Sequence, residues 1–207
     1  VAAAPAEALA EPLPALDDST RLAAEELVAL VGVPAFGELF LAQELVRRFV
    51  ATVDNLPRRE LPVGQRPLRG PQGAFTAAGT EAAPVLDAAN YARYEPYVRL
   101  ATRLDAKAAV AAYQRLYPLL QQAYEELGYP GRYFNDRLIE AMDDLLAAPE
   151  LDGPVPLVRP HVLYRFADPA LEARSAGQKI LIRMGPANAR QIKAKIAEVR
   201  ALLARQP

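Results

Sequence analysis

The chain has no cysteine, a single histidine, two serines and four lysines among its 207 residues. Each shortage removes a class of chemistry. Without thiols there are no disulfides, no thiolate nucleophile and no cysteine-type zinc cluster. His161 has no second histidine to share a metal with, and its place after Pro160 reads as a polar residue in an extended segment. Nucleophilic serine chemistry needs a serine, a base and an orienting acid. Ser19 stands at a predicted helix start and Ser175 just before Ala-Gly-Gln-Lys, and neither lies in a Gly-x-Ser-x-Gly elbow. The same Ser-Ala-Gly-Gln-Lys stretch lacks the spaced glycine, and the Ser/Thr after lysine, of a phosphate loop. No cofactor or metal is expected. No apolar run is long enough to span a bilayer, and the opening Val-Ala-Ala-Ala-Pro stretch has neither the basic start nor the leucine-rich centre of a signal peptide.

What is present is an ordinary globular balance: 52% hydrophobic, 24% charged and net charge −1. That length and balance suit one sizeable core and argue against a protein coated all over by nucleic acid. Of 24 basic residues only Lys107, Lys179, Lys193 and Lys195 are lysine; with the many alanines, the arginine bias points to a GC-rich bacterial genome. Residues 1–16, rich in proline, alanine and glutamate, read as a stiff spacer. Residues 17–207 read as one helical domain: all-α, with long proline-rich connectors and at most a small β-hairpin.

The helical reading rests on period and punctuation. Asp17, Asp18 or Ser19 caps a first helix that Gly32 and Pro34 end. A second helix is predicted from about Ala35 to Val53, apolar nearly all round and therefore central. Prolines 57, 62, 67 and 71 then impose a long loop. Residues 73–86 suggest a hairpin turning at Gly79. Asp87 and Pro96 open the next helices, and Asp105 caps a longer one. Its stripe Tyr113, Leu116, Tyr117, Leu120, Tyr124, Leu127 keeps phase through Pro118, predicting a kink rather than a stop. Gly128 and Pro130-Gly131 turn the chain into a helix that buries Leu138, Ile139, Met142, Leu145 and Leu146 and exposes Arg137, Glu140, Asp143 and Asp144. Phe134 extends the buried face, while Asn135 is either its cap or a site residue. His161–Phe166 reads as extended, followed by a short capped helix, a buried one ending at Gly185 and a last one opened by Pro186.

Eight of nine tyrosines fall between residues 91 and 133. Tyr113, Tyr117 and Tyr124 lie on the helical stripe and read as core. Tyr91, Tyr94, Tyr97, Tyr129 and Tyr133 sit at breaks, where a ring can bury its face and keep its hydroxyl wet. The candidate ligand-binding residues are therefore Tyr91, Arg93, Tyr94, Tyr129, Arg132, Tyr133, Asn135 and Arg137, lining a groove for a peptide, a glycan or a partner helix. The bland reading is mortar between helices. Glu95, Asp136, Glu140, Asp143 and Asp144 are the carboxylates available for an acid–base pair, although most have the spacing of a solvated helix face.

Charge is uneven along the chain. Residues 175–207 carry seven cations against Glu198, and residues 1–31 carry six carboxylates against Arg21. The ends could attract each other, or the basic end could face an anionic lipid or polymer. Aromatics suited to stacking on bases are few there, so nucleic acid is a weak expectation.

Three stretches, Arg47–Arg58 (RRFVATVDNLPR), the run from Leu86 through Tyr129–Leu138 (LDAANYARYEPYVRL to YPGRYFNDRL) and Ser175–Ala189 (SAGQKILIRMGPANA), resemble an uncharacterised family of bacterial proteins known only as a domain of unknown function. The resemblance covers roughly residues 17 to 205. It implies an envelope protein with an N-terminal membrane helix, a proline-rich spacer and this domain on the periplasmic face of the inner membrane, a cytoplasmic location being the alternative. It transfers no activity and no catalytic residue. The expected function is a non-catalytic, membrane-tethered module binding a protein or cell-wall component. The rivals are a carboxylate-dependent hydrolase in the tyrosine-lined groove and a basic surface for anionic lipid or nucleic acid.

Overall fold

A computed structural model describes residues 13–204; residues 1–12, most of the expected spacer, and residues 205–207, with Arg205, lie outside the described residues. After a 3-10 turn at Leu16–Asp18 come α1 (Thr20–Val31), α2 (Val33–Leu39) and α3 (Leu45–Asn55). The proline-rich loop holds a second 3-10 turn, Val63–Gln65, and leads to the antiparallel pair β1 (Ala77–Thr80) and β2 (Ala83–Leu86). Then follow α4 (Ala89–Ala92), α5 (Glu95–Arg103), α6 (Ala106–Glu126) and α7 (Phe134–Leu146). A second antiparallel pair, β3 (Leu157–Val158) and β4 (Arg165–Phe166), precedes α8 (Pro169–Glu172), α9 (Ala176–Arg183) and α10 (Pro186–Leu203). The fold is mostly helical, as the periodicity required, with two small two-stranded sheets among the described residues.

Capping follows the sequence at Asp105 and Asp168 but not at the start of α1. Asp105 accepts from the N–H groups of Lys107 and Ala108, at 2.8 and 3.1 Å. Asp168 accepts from Ala170, and Ser175 Oγ from Gln178. α6 runs unbroken through Pro118. Ser19 precedes α1 but caps nothing; its hydroxyl donates to Leu16 O at 2.6 Å.

Four expectations are corrected. The helix expected over residues 35–53 is two helices, because the backbone of 39–41 pairs with the loop instead of with itself. Leu41 N donates to Pro67 O, and Arg69 N to Leu39 O, each at 2.8 Å; Glu44, at φ 51, then restarts the chain into α3. The first hairpin turns at Glu81-Ala82, with Gly79 inside β1 opposite Pro84. Of the segment 161–166, read as extended, only Arg165–Phe166 forms a strand, and it pairs with Leu157–Val158, before Pro160. Arg137, expected in solvent, has a side chain only 13% exposed.

Three cores result. α1, α3, α6 and α7 enclose Val46, Val50, Val53, Leu120, Tyr124, Phe134 and Leu138, with Leu16 buried beside them and Leu13 packed on the edge. Phe134 is 0% exposed, a burial that stabilises by roughly 2–3 kcal/mol. The hairpins close over α9 through Leu86, Leu157, Phe166 and Ile182. α9, α10 and the end of α7 share Ala148, Leu181, Met184 and Ala189.

Candidate functional site

The corner between α6 and α7 is built by glycine and one glutamine. Gly128 (φ 113) and Gly131 (φ 74) take left-handed conformations closed to most residues. Gln121 then clamps the turn: its Nε2 donates to Arg132 O at 2.8 Å, and its Oε1 accepts from Phe134 N at 2.8 Å. That second bond satisfies a free N–H of the α7 start, the task of a cap. Asn135 is therefore not the cap. It is the second residue of α7, and its Oδ1 accepts from the Tyr113 hydroxyl at 3.1 Å. Burial pushes the Tyr113 phenol well above its usual range, and Tyr117 and Asp136 add to the shift.

Two residues further, Arg137 reaches inward to Asp54 on α3. The Asp54 side chain is 6% exposed, and a carboxylate so placed must be paired. Arg137 Nε donates to Oδ1 at 3.0 Å, and its Nη2 donates to the Asp54 carbonyl. Arg58 Nη2 donates to Oδ2 at 2.9 Å and to the Tyr129 hydroxyl at 2.6 Å. The Tyr129 hydroxyl in turn donates to Oδ2 at 3.3 Å. Bonding to Asp54 raises the Arg58 pKa above its ordinary value. Two guanidiniums and a phenol thus share one buried carboxylate, and Arg58 remains half in solvent.

A second polar knot joins the first through the C-terminal end of α3. The N–H groups of Ala176 and Gly177 donate to Arg58 O and Leu56 O, at 2.6 and 2.9 Å. The positive end of α9 thereby meets the negative end of α3. Gly177 permits the approach: a Cβ there would lie 2.6 Å from Leu145 Cδ2 and 3.2 Å from Leu56 O. Ser175 Oγ donates to Asp144 Oδ2 at 2.6 Å, and Gln178 Nε2 donates to Asp144 Oδ1 at 3.0 Å. Asp54, Arg58, Gln121 and Gln178 were all missed in the sequence, and Asp144, noted there as a solvated carboxylate, instead bonds Ser175 and Gln178. An aspartate on the otherwise apolar face of α3 was the available signal for the first.

Of the eight candidate residues, the structure brings Tyr129, Arg132, Tyr133, Asn135 and Arg137 to this corner. Tyr133 is 57% exposed, and Arg132 is exposed. Tyr91, Arg93 and Tyr94 pack elsewhere. The Tyr91 ring lies where a Cβ on Gly185 (φ 85) would be, 2.6 Å from its Cγ, and it belongs to the core under the hairpins. Tyr94 packs on the α9–α10 core. Burial raises its pKa, and Arg183, Arg93 and Arg66 oppose the rise. Arg93 donates to the carbonyls of Pro71, Gln72 and Gly73, and the Tyr97 hydroxyl donates to Arg69 O at 2.8 Å. These side chains pin the proline-rich loop. Asn90, 0% exposed, ties the same loop at Thr76.

The carboxylates that could have served acid–base chemistry are largely engaged. Glu140 pairs with Arg137, Asp143 with Arg200, Glu95 with Arg99, and Asp144 holds Ser175 and Gln178. Two hollows formed by the described residues hold about 90 Å³, beside Leu16, Glu44 and Arg47, and about 20 Å³, beside Tyr91 and Pro149. Sites for small molecules usually span ~300–1,000 Å³. The uneven charge is answered locally. Arg190 and Lys193 pair with Glu150, Lys195 with Glu198 and Lys179 with Glu172, while Asp17 meets Arg47 and Glu26 meets Arg115.

The fold and this corner define a helical domain organised around a buried aspartate–arginine hub. The chain belongs to the DUF3014 family of proteins of unknown function, which it matches over residues 45–200. No curated protein and no solved structure matches it. The match spans all three segments that meet at the hub.

Proposed function

We propose that this domain is a non-catalytic binding module that recognises a protein or cell-wall component through the α6–α7 corner. The observation that carries the reading is the rigid presentation of that corner. Asp54, Arg137 and Gln121 fix it from beneath, while Tyr133 stays 57% exposed and the Arg58 side chain 48% exposed. Exposed tyrosine and arginine on a preorganised base are the side chains that dominate protein interfaces. The engaged carboxylates favour binding over hydrolysis. The periplasmic setting, with a tether on the N-terminal side, rests on the family resemblance alone.

The test is co-sedimentation of the domain with isolated peptidoglycan sacculi, alongside photo-crosslinking from position 133 in cells. Arg132→Ala with Tyr133→Ala should abolish sacculus retention or the crosslinked band while leaving the melting temperature unchanged. Retention and crosslinking that are absent, or that ignore both substitutions, would refute the reading.

A further inference from the structure

The second hairpin holds an apolar tip out into solvent. Between β3 and β4 the chain runs Arg159-Pro160-His161-Val162-Leu163-Tyr164. Val162 is 77% exposed, Leu163 76% and Val158 44%. The tip is held rather than loose. Leu157 and Phe166, at its base, are buried in the core over α9. Tyr164 packs on Phe75 with ring centroids 5.5 Å apart. The Arg159 guanidinium lies 5.3 Å from the Tyr164 ring centroid, and its Nε donates to Val162 O at 3.2 Å.

The hairpin's own charged side chains are all of one sign; the nearby Glu172 carboxylate accepts from Phe166 N at the base of the hairpin. Residues 155–167 contain no aspartate or glutamate. Arg159 and Arg165 are exposed, and among the described residues neither pairs with a carboxylate. On α10, by contrast, Arg190, Lys193, Lys195 and Arg200 each meet a carboxylate. Among the described residues, the hairpin thus keeps two exposed arginines outside the ion pairs, while those four cations of α10 are paired.

We propose that this tip is a membrane-contact loop: Val162 and Leu163 enter the headgroup–acyl boundary of an anionic bilayer, and Arg159 and Arg165 meet the lipid phosphates. An anionic leaflet presents apolar depth behind negative headgroups, the same order in which the tip presents aliphatic residues ahead of arginines. A second copy of the chain fits less well, because tip-to-tip contact would set arginine against arginine with no acid between them. Two aliphatic side chains make a weak, reversible contact, suited to orienting a domain rather than anchoring it. The proposal does not depend on the corner binding a partner.

The experiment is flotation of the chain with vesicles of phosphatidylcholine alone and of phosphatidylcholine mixed with phosphatidylglycerol. The mixed vesicles should retain the chain and release it as salt is added. Val162→Ser with Leu163→Ser should weaken retention about tenfold or more. Arg159→Gln with Arg165→Gln should cost roughly tenfold on the mixed vesicles and change nothing on phosphatidylcholine. These positions are exposed, so far-UV circular dichroism should be unchanged; Leu163→Ser alone serves if the pair perturbs folding. No retention on mixed vesicles, or retention indifferent to both pairs, overturns the proposal. A lipid-free dimer that Val162→Ser with Leu163→Ser dissociates assigns the tip to a second copy and overturns it equally.

Discussion

Replacing Arg137 by methionine keeps the apolar stem and removes the charge that faces Asp54. The carboxylate it abandons is on a side chain 6% exposed. Breaking a buried pair on one side costs about 3–5 kcal/mol, because the remaining charge is stranded. Here Arg58 and the Tyr129 hydroxyl stay on the carboxylate, so the lower end applies, about 3 kcal/mol. The Glu140 partner is 62% exposed, and its loss adds at most ~1 kcal/mol. For a domain of this size a 3 kcal/mol loss lowers the melting temperature by about 6–12 °C. Urea unfolding followed by far-UV circular dichroism is the assay, since the chain has no tryptophan. The midpoint should fall while the slope holds. Asp54→Asn should cost a similar amount, and the double substitution should cost less than the two added together, by about 1 kcal/mol or more. Asp54→Leu with Arg137→Met should recover part of the loss, because the buried charges leave together and the half-exposed Arg58 can turn to solvent. A single Arg137→Met variant within about 0.5 kcal/mol of the parent, or additive single losses, would refute the hub as the structural centre of this corner.

Gly177→Ala puts a methyl 2.6 Å from Leu145 Cδ2 and 3.2 Å from Leu56 O, so urea unfolding should show a loss of about 1–2 kcal/mol, with valine worse. Asn135→Ala and Tyr113→Phe each remove one end of a single hydrogen bond; each should cost about 1 kcal/mol, and both together little more than either. The exposed Asp105 carboxylate is held below its ordinary value of 3.8, first by the Ala108 N–H and then by that of Lys107. A lowered native pKa means its contribution is complete above the ordinary value and is lost as pH falls through the native one. Asp105→Asn, which keeps a cap but no titration, should therefore reduce the acid-side fall in melting temperature; an unchanged fall would contradict the assignment.

Signals that act over a few residues were legible without a structure. The three-and-four spacing of Tyr113, Leu116, Leu120 and Tyr124 announced α6, and the helix ran through Pro118 because the stripe that buries it did not lose phase. Asp105 and Asp168 announced helix starts because a cap bonds its own chain two or three residues on. Gly32, Gly128 and Gly185 announced ends because each takes a positive φ. The excess of tyrosine and arginine around the α6–α7 corner was legible too, but not what those side chains bond.

Only the tertiary structure decided who meets whom. Arg137 and Asp54 are 83 residues apart in sequence, and no periodicity carries information over that distance. Arg137 looked solvated because its own helix offers it Glu140; the stronger partner lies on α3. The break between α2 and α3 has the same origin, since Leu39 and Leu41 bond to a loop that the local pattern could not see. The C-terminal cations looked free because their carboxylates, Glu150 and Asp143, come from another part of the chain. Helix formation is written in near neighbours, whereas burial of a charge is settled by whichever distant group arrives to neutralise it.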